Sequence, residues 1–353
     1  MPDVPAMSMR RWTVPAYGPG GDASAAVASM QMEDGPVPQP GAGEVLVKVQ
    51  VAAVNPIDWK LFTGGLDAVV PCTFPYTPGF DVAGEVAALG DGVADFKVGD
   101  AVCADIGLCE TCKNPPPTAG CCGAFAEYAV VPTALLAKHS LSAEQIAGLP
   151  LVGLTSYQAL FTGAATDFAG NPLGDIKAGS KLLVLGGSSV TGSFAIQMAK
   201  NVGATVVATA STNAMPDGTS KIDYVKSLGA DVINYKTESF AEKLAGQDFD
   251  MIYDTVGDQE DLDVHAPKVL KKGGLFVSIA NFNPDSKSTD AVRFANFLLK
   301  SDAKDLAGLV SMVEKGALKI PIDSVHSFED VPKALSRNMT FRAGGKILIK
   351  ICA

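Results

Sequence analysis

Long apolar runs are missing from this sequence. No stretch approaches the roughly 18 consecutive apolar residues of a membrane-spanning helix, so we expect no integral membrane segment. An excess of basic charge is missing too, because the net charge is −10. That balance gives no electrostatic support for a nucleic-acid or anionic-membrane partner. Histidine is scarce, and His139, His265 and His326 lie outside every motif, so we expect no metal or triad role for them.

We expect no secretory signal in the first residues, because Arg10 and Arg11 are not followed by an apolar block. The seven cysteines are odd in number and five lie in one loop, unlike a secreted disulfide framework. We therefore expect a cytoplasmic protein, with an organelle such as the plastid left open. A chain of 353 residues with 47% hydrophobic content is long enough for two domains with a core each.

Short strands dominate the first part of the chain. Residues 44–54 alternate and are rich in valine, and residues 81–89 and 126–131 read as further strands separated by Gly, Pro and Asp. This pattern predicts a mainly β domain over residues 1–144.

From about residue 141 onward, strands alternate with helical segments, which predicts an α/β domain with a doubly wound parallel sheet. We assign it residues 145–316, and residues 317–353 return to the first domain through the strand-like ending "GGKILIKI". The segment 291–300 fits either a sixth strand or a helix. The five predicted strands are 181–187, 205–210, 231–235, 251–256 and 274–280.

A glycine-rich turn, "LLVLGGSSVTGSFAIQMAK" (182–200), joins the first of these strands to a helix. Small residues let the backbone approach a pyrophosphate, and the start of a helix offers free N–H groups. Glycines also serve tight turns for structural reasons alone. At the first strand of a βαβ unit, however, the turn predicts dinucleotide binding. The candidate residues are Gly186, Gly187, Ser188, Ser189, Val190, Thr191 and Gly192.

The second strand ends without the acidic residue that an NAD enzyme uses to bind the ribose 2′-hydroxyl. Ser211, Thr212 and Asn213 stand there instead, which removes a repulsion against a 2′-phosphate. Lys221 and Tyr235 are candidates to bind that phosphate, although each also fits a solvated surface residue. Together these residues favour NADPH as the cofactor.

Two short segments follow the fourth and fifth predicted strands. Ligands bind beyond the carboxyl ends of such strands, so we expect both segments to line the nicotinamide half of the site. The candidate residues there are Val256, Gly257, Ala280 and Asn281.

Several further motifs follow one another along the chain. They are "VNPIDWK" (54–60), "PGFDVAGEV" (78–86), "VGDAV" (98–102), "GAFAEYAVVP" (123–132), "LPLVGLTSYQAL" (149–160), the glycine turn, "VKSLGADVINY" (225–235) and "GGKILI" (344–349). In this order they resemble the medium-chain dehydrogenase/reductase superfamily, in its zinc-free quinone oxidoreductase branch. The resemblance implies a GroES-like β domain that holds the substrate, a Rossmann domain that holds NADP, and a cleft between them. It is shared with chloroplast-envelope-type quinone oxidoreductases and enone reductases and with fungal trans-acting enoyl reductases.

The resemblance also bears on metal binding. Zinc alcohol dehydrogenases of the superfamily carry Cys where this chain has Asn55, and His-Glu where it has Phe80-Asp81. Two zinc-ligand positions are thus missing, so we expect no catalytic metal. Without a Lewis acid, alcohol oxidation loses its alkoxide stabiliser, whereas hydrogen-bond donors suffice for reduction of an enone or quinone.

The catalytic candidates lie in "NPIDWK". Asn55 offers an amide to the nicotinamide ribose or the substrate carbonyl, and Asp58 is expected to orient its neighbours. Lys60 stands where relatives carry a polar hydroxyl or amine, and its ammonium would hold or protonate an enolate oxygen. Asn55 and Asp58 also fit ordinary caps of a turn. Thr155 resembles the family threonine near the nicotinamide, with helix packing as the alternative.

These observations predict an NADPH-dependent reductase of quinones or of the C=C bond of α,β-unsaturated carbonyls. Two alternatives stay open: an enoyl-thioester reductase of a biosynthetic pathway, and an NADPH-binding protein with incidental turnover. The expected partner is a small-molecule substrate, and a homodimer is common in the family.

A cysteine-rich loop stands where zinc-containing relatives insert a structural-zinc lobe. Its spacing departs from the family pattern C-x2-C-x2-C-x7-C, so we expect no zinc there, while a thiol that responds to oxidants stays open. The loop cysteines are Cys103, Cys109, Cys112, Cys121 and Cys122.

Overall fold

The computed structural model describes residues 8–66, 72–107, 123–161 and 165–352. In this part of the chain the strands are, in order, β1 (Ser8–Thr13), β2 (Gln31–Pro36), β3 (Glu44–Val54), β4 (Asp81–Leu89), β5 (Ala101–Asp105), β6 (Tyr128–Pro132), β7 (Ala137–Lys138), β8 (Lys181–Leu185), β9 (Thr205–Ala210), β10 (Asp231–Asn234), β11 (Phe249–Asp254), β12 (Leu270–Ser278), β13 (Val292–Asn296), β14 (Ile322–Ser327) and β15 (Lys346–Lys350).

The α-helices in the same ranges are α1 (Ala23–Ala28), α2 (Pro56–Lys60), α3 (Ala143–Ile146), α4 (Pro150–Leu160), α5 (Val190–Asn201), α6 (Lys221–Ser227), α7 (Phe240–Lys243), α8 (Ala266–Val269), α9 (Ala303–Glu314) and α10 (Val331–Met339). Single 3-10 turns occur at Pro19–Gly21, Leu61–Thr63, Thr133–Leu135 and Phe328–Asp330, and a π-type turn at Asp261–His265.

The first structural unit contains Met1–Leu151, Lys300–Lys315 and Ile322–Ala353. Its main sheet has the order β14-β15-β3-β4-β5-β7, and β6 pairs with β3 beside it. Strand β3 is buried along most of its length, and its valines form the core with apolar residues of β4 and β15. This is the mainly β, GroES-like domain that the sequence predicts.

The last strand returns to this sheet as predicted. Strand β15 runs antiparallel to β3, with Ile347 opposite Val54 and Ile349 opposite Ala52. The residues that begin β15 are therefore brought to the end of β3, where the Asn-Pro turn follows. This pairing places Lys346 beside Asn55 although 291 positions separate them in the sequence.

The second unit contains Val152–Leu299 and Gly316–Pro321. Its sheet has the order β10-β9-β8-β11-β12-β13, and every neighbouring pair is parallel. Counted from β8, this is the order 3-2-1-4-5-6 of the doubly wound dinucleotide-binding fold. The segment 291–300, which fitted either a strand or a helix, contains β13. The α/β fold class is thus confirmed.

The unit bounds differ from the predicted domains at both junctions. Residues 145–151 and Lys300–Lys315 lie with the first unit, and residues 317–321 with the second. Helix α9 belongs to the first unit because its end is held there: Ser140 donates from its N–H and its hydroxyl to Glu314 Oε1, at 2.8 and 2.7 Å. Such long-range contacts cannot be recognised in the local sequence pattern from which the domain boundaries at residues 144 and 316 were predicted.

Membrane-spanning helices are not found in the described ranges, because no helix there is both long and apolar enough.

Candidate functional site

The glycine-rich turn follows β8, the strand at which the order of the second sheet reverses. Ser189 precedes helix α5, and its hydroxyl accepts a hydrogen bond from Gly192 N at 3.0 Å. A Cβ on Gly192 would lie 2.4 Å from the carbonyl oxygen of Gly186, and Gly186 itself has φ +81°. The turn therefore requires glycine, and its place at the switch point is where such folds bind nucleotides.

The other predicted residues of this turn, Ser188, Val190 and Thr191, are partly exposed at the start of α5. The hydroxyl of Ser156 on α4 donates to the carbonyl oxygen of Thr191 at 2.9 Å. Thr155, buried next to Ser156, therefore lies on a helix that packs against this start of α5.

Backbone contacts gather the predicted 2′-phosphate residues at the ends of β9 and β10. Lys221 N donates to the carbonyl oxygen of Asn213 at 2.8 Å, and Tyr235 N donates to that of Ala210, next to Ser211, at 3.2 Å. The Tyr235 ring is 52% exposed. These contacts bring Ser211, Lys221 and Tyr235 to one edge of the sheet.

Sequence reasoning missed a second cation at this edge. Lys236 is exposed, and its Nζ lies 5.0 Å from the centre of the Tyr235 ring. The sequence signal that could have identified Lys236 was its position just after the end of a parallel strand. One acid is also close in sequence to Lys221: Asp223, which accepts a hydrogen bond from the Ser220 hydroxyl at 2.6 Å.

Asp254, the last residue of β11, holds the segment that follows this strand at the carboxyl edge of the sheet. It is buried and accepts hydrogen bonds from Val256 N at 2.8 Å, Gly257 N at 3.1 Å and the Ser278 hydroxyl at 2.6 Å. Burial raises the pKa of its carboxyl. Sequence reasoning missed this residue, although an acid that ends an apolar strand was a usable signal.

Ser278 links the two predicted nicotinamide segments. Its hydroxyl, bound to Asp254, accepts hydrogen bonds from Ala280 N at 3.1 Å and Asn281 N at 2.8 Å. The Asn281 amide donates to Gln259 Oε1 at 2.9 Å, which fixes its orientation. The structure thus brings together Val256, Gly257, Ala280 and Asn281, as the strand order predicts.

A buried polar cluster lies in the first unit. All its side chains are almost completely inaccessible to solvent, although four of the five are ionisable. Its members come from the Asn-Pro turn, β4, β5 and β15. They are Asn55, Asp58, Asp81, Asp105 and Lys346.

The side-chain amide of Asn55 is bound at both ends. Its amide nitrogen donates to Asp81 Oδ2 at 2.8 Å and to the carbonyl oxygen of Ala53 at 3.3 Å. Its amide oxygen accepts from Lys346 Nζ at 2.7 Å. The predicted direct contact of Asn55 with ribose or substrate does not fit this geometry, because both ends of the amide are engaged and buried. Sequence reasoning could not see these partners.

Lys346 and Asp81 form a buried ion pair. The ammonium is 2.9 Å from Asp81 Oδ2, and the two side chains are 2% and 0% exposed. The other oxygen, Asp81 Oδ1, accepts from Leu151 N at 2.7 Å. Sequence reasoning did not assign Lys346 a role, although a lysine in the otherwise apolar strand "KILI" was a signal.

Asp58 lies one helical turn beyond Asn55 and accepts two backbone hydrogen bonds. They come from Asn55 N at 2.6 Å and Phe80 N at 3.1 Å. Burial, with a further contribution from the charge of Asp81, raises the pKa of Asp58 to about 8. The arrangement fits the expected role of orienting neighbours, since both carboxyl oxygens face the backbone.

Lys60 ends helix α2 and is half-buried. Burial lowers the pKa of its ammonium, and no carboxylate of the described chain forms an ion pair with it. Its Nζ lies 6.0 Å from the centre of the Trp59 ring, and Trp59 Nε1 donates to Asn338 Oδ1 at 2.9 Å. An ammonium in this state has N–H groups to offer to a ligand oxygen.

The residues at the two zinc-ligand positions do not fit zinc. Phe80 has no donor atom, and Asn55 and Asp81 both bind an ammonium that would repel a divalent cation. A group of three or more potential metal ligands is not found within the described ranges. Cys109, Cys112, Cys121 and Cys122 lie outside those ranges, and Cys103 is buried on β5, which raises the pKa of its thiol.

Comparison with known proteins supports the fold and shows the family. Residues 41–141 match the family model of the alcohol dehydrogenase GroES-like domain, and residues 228–349 match that of the zinc-binding dehydrogenases. The chain is 32% identical to the chloroplast envelope quinone oxidoreductase homolog of Arabidopsis thaliana, over 95% of this chain and 97% of the relative. The chain belongs to the medium-chain dehydrogenase/reductase superfamily.

Other members of the superfamily are similar over nearly the whole chain. The NADPH-dependent alkenal/one oxidoreductase of Arabidopsis thaliana chloroplasts is 33% identical over 97% of this chain and 79% of its own. The quinone oxidoreductase of Coxiella burnetii aligns with a TM-score of 0.77 at 26% identity, over 98% of this chain and all of its own. The protein is thus an oxidoreductase-like member of the superfamily, for which a nicotinamide cofactor is expected.

Proposed function

We propose that this protein is an NADPH-dependent reductase of quinones or of the C=C bond of α,β-unsaturated carbonyls, and that it works without a metal. The observation that carries the proposal is Lys60: a half-buried ammonium without a carboxylate partner in the described chain, on a helix whose start is anchored in the buried polar cluster. The names of similar proteins point to the same substrates.

The second unit would hold the cofactor. A Cβ on Gly186, Gly187 or Gly192 would collide with neighbouring atoms of the chain, so the turn is built without these side chains. The backbone N–H groups at the start of α5 would bind the pyrophosphate. Lys221 and Lys236, with the Tyr235 hydroxyl and no acid at the end of β9, would bind a 2′-phosphate. When bound, NADPH supplies the hydride.

Lys60 would act at the substrate oxygen. Hydride addition to the β-carbon of an enone places negative charge on the carbonyl oxygen, which an ammonium N–H stabilises. The lowered pKa of Lys60 makes its ammonium a better proton donor than an ordinary lysine. One proton is needed in all: Lys60 would pass it to the oxygen and regain it from solvent. A quinone then becomes the hydroquinone, and the enol formed from an enone tautomerises to the saturated carbonyl.

A turnover panel tests the proposal. We expect NADPH oxidation with quinones or short enones, and a loss of roughly 10²–10⁴-fold in kcat for Lys60→Ala. Lys97→Ala, at an exposed lysine of the same unit, is the control and should behave as wild type. A strong preference for enoyl-thioesters would support the trans-acting reductase instead. Tight NADPH binding without turnover on any acceptor would support a binding protein.

The compartment and a homodimer remain predictions from the sequence. Cell fractionation and light scattering of the purified protein measure them.

A further inference from the structure

We propose that Lys346 is a positioning residue for Lys60, acting through Asn55 and helix α2. Its ammonium lies between Asn55 and Asp81 and donates a hydrogen bond to each, at 2.7 and 2.9 Å. The inference rests on the proposed function, because it concerns how Lys60 is held for reaction.

The contacts of Asn55 allow its amide only one orientation. The ammonium of Lys346 has donors alone and therefore faces the amide oxygen, at 2.7 Å. The carboxylate of Asp81 has acceptors alone and faces the amide nitrogen, at 2.8 Å. Rotation of the amide by half a turn would place donor against donor and acceptor against acceptor. The ion pair thus fixes a side chain that would otherwise have two similar states.

Helix α2 depends on this anchor because it is too short to hold itself. It contains only Pro56–Lys60, and a single helical turn gains too few internal hydrogen bonds to offset its nucleation cost. Its start is tied by Asn55 to the ion pair and by Asp58 to the backbone of Asn55 and Phe80. Its end is tied by Trp59 to Asn338. The position of Lys60, the last residue of the helix, therefore depends on these hydrogen bonds at both ends.

Stability alone does not explain a buried ion pair. A buried pair is often no more stabilising than apolar residues of similar volume, since both charges lose their hydration. What the pair adds here is a fixed orientation of the Asn55 amide, because it places one donor and one acceptor at defined points around that side chain. The energetic cost of burial is consistent with a role in positioning.

The experiment separates positioning from folding with a charge-neutral double variant. Lys346→Met alone leaves Asp81 buried without a counter-ion, and loss of fold is an expected complication. The double variant Lys346→Met with Asp81→Asn removes both charges. The amide oxygen of the new side chain at position 81 can still accept from Leu151 N, while its N–H group faces Asn55 in place of the carboxylate oxygen. We expect this variant to melt within a few degrees of wild type, because no charge is left buried without its partner.

The kinetic signature of lost positioning is a fall in kcat without a matching change in cofactor binding. For the double variant we expect kcat lower by roughly 10- to 100-fold, with the KM for NADPH within about twofold of wild type. Lys350→Met is the matched control, since Lys350 lies on the same strand with its side chain 55% exposed. A folded double variant with wild-type kcat would overturn the inference.

A second readout does not depend on turnover. Acylation by an amine-reactive reagent, which attacks through the neutral amine and releases a proton and the leaving group, is followed by mass spectrometry. At fixed pH its rate reports how readily the reagent reaches the Lys60 amine. We expect a several-fold faster reaction of Lys60 in the double variant and no change in Lys350→Met. If wild type reduces no acceptor and the labelling rate still changes, the proposed function fails and the positioning stands. An unchanged labelling rate overturns the positioning.

Lys346→Arg keeps the test decisive if the double variant does not fold. The guanidinium retains a charge with donors alone, so we expect kcat within a few-fold of wild type and an unchanged Lys60 labelling rate. A folded Lys346→Arg protein that loses kcat and shows altered labelling would contradict a role for the cation as such.

Discussion

Asp81 and Asp105 lie directly opposite each other on β4 and β5, and both are buried. Asp81 is paired with Lys346, whereas Asp105 accepts hydrogen bonds from the Ser301 hydroxyl at 2.7 Å and from Gly107 N at 3.1 Å. Burial, together with the charge of Asp81, raises the pKa of Asp105 to about 7 from its ordinary 3.8. Asp58, in the same cluster, is raised to about 8.

These raised values predict that the protein loses stability as the pH rises from about 5 to 8. In that window the folded state holds protons that the unfolded state has released, so the free energy of unfolding falls with pH. The steepest fall is about 1.4 kcal/mol per pH unit for each group. Urea unfolding at several pH values measures it. Asp105→Asn should flatten the profile, and Asp95→Asn, at an exposed site, should not.

Lys60 sets the alkaline limit of the proposed reaction. Its ammonium is the active form, and its pKa lies below the ordinary 10.5, so kcat/KM should fall as the pH passes a value below 10.5. The pH profile of NADPH oxidation checks this. In Lys60→Arg the charge persists, and the alkaline fall should move to higher pH or disappear. The same alkaline fall in Lys60→Arg would assign the limit to another group.

Lys221 and Lys236 should set the preference for NADPH. A charge-assisted hydrogen bond to phosphate contributes about 1.5–3 kcal/mol, so each change to Ala should raise the KM for NADPH roughly ten- to a hundredfold. The KM for NADH should stay the same. Lys226→Ala, exposed on the same helix as Lys221, is the control. Equal use of NADH and NADPH by wild type would contradict the assignment.

Two glycine substitutions should have opposite effects on stability. A Cβ on Gly192 would meet the Gly186 carbonyl oxygen at 2.4 Å, so Gly192→Ala should destabilise by about 1–3 kcal/mol and weaken cofactor binding. Gly308, inside helix α9, has open space around the same position. Gly308→Ala should stabilise by about 0.5–1 kcal/mol. Thermal melts with and without NADPH measure both.

Metal analysis tests the prediction of a zinc-free protein. Protein purified without chelator should contain far less than one zinc per chain, and a chelator should leave NADPH oxidation unchanged. One zinc per chain would show that the loop with Cys109, Cys112, Cys121 and Cys122 binds the metal despite its spacing.

The local pattern of the sequence was enough to predict much of the fold. The alternation of valines over 44–54, and the strands predicted at 81–89 and 205–210, coincide with β3, β4 and β9. The glycine turn was recognisable because a strand, small residues and a helix follow one another directly. Such features depend on neighbours a few positions apart, where periodicity and turn chemistry act.

Tertiary structure alone decided that these polar residues form one buried cluster. Asp81 and Lys346 are 265 positions apart, and only the pairing of β15 with β3 brings them together. The sequence named Asn55 and Asp58 as candidates, yet it did not show that both are buried and bound to the chain itself. Burial and long-range pairing depend on how distant strands pack. For that reason Asn55 was predicted as a ligand contact, whereas the fold places its amide between the Lys346 ammonium and the Asp81 carboxylate.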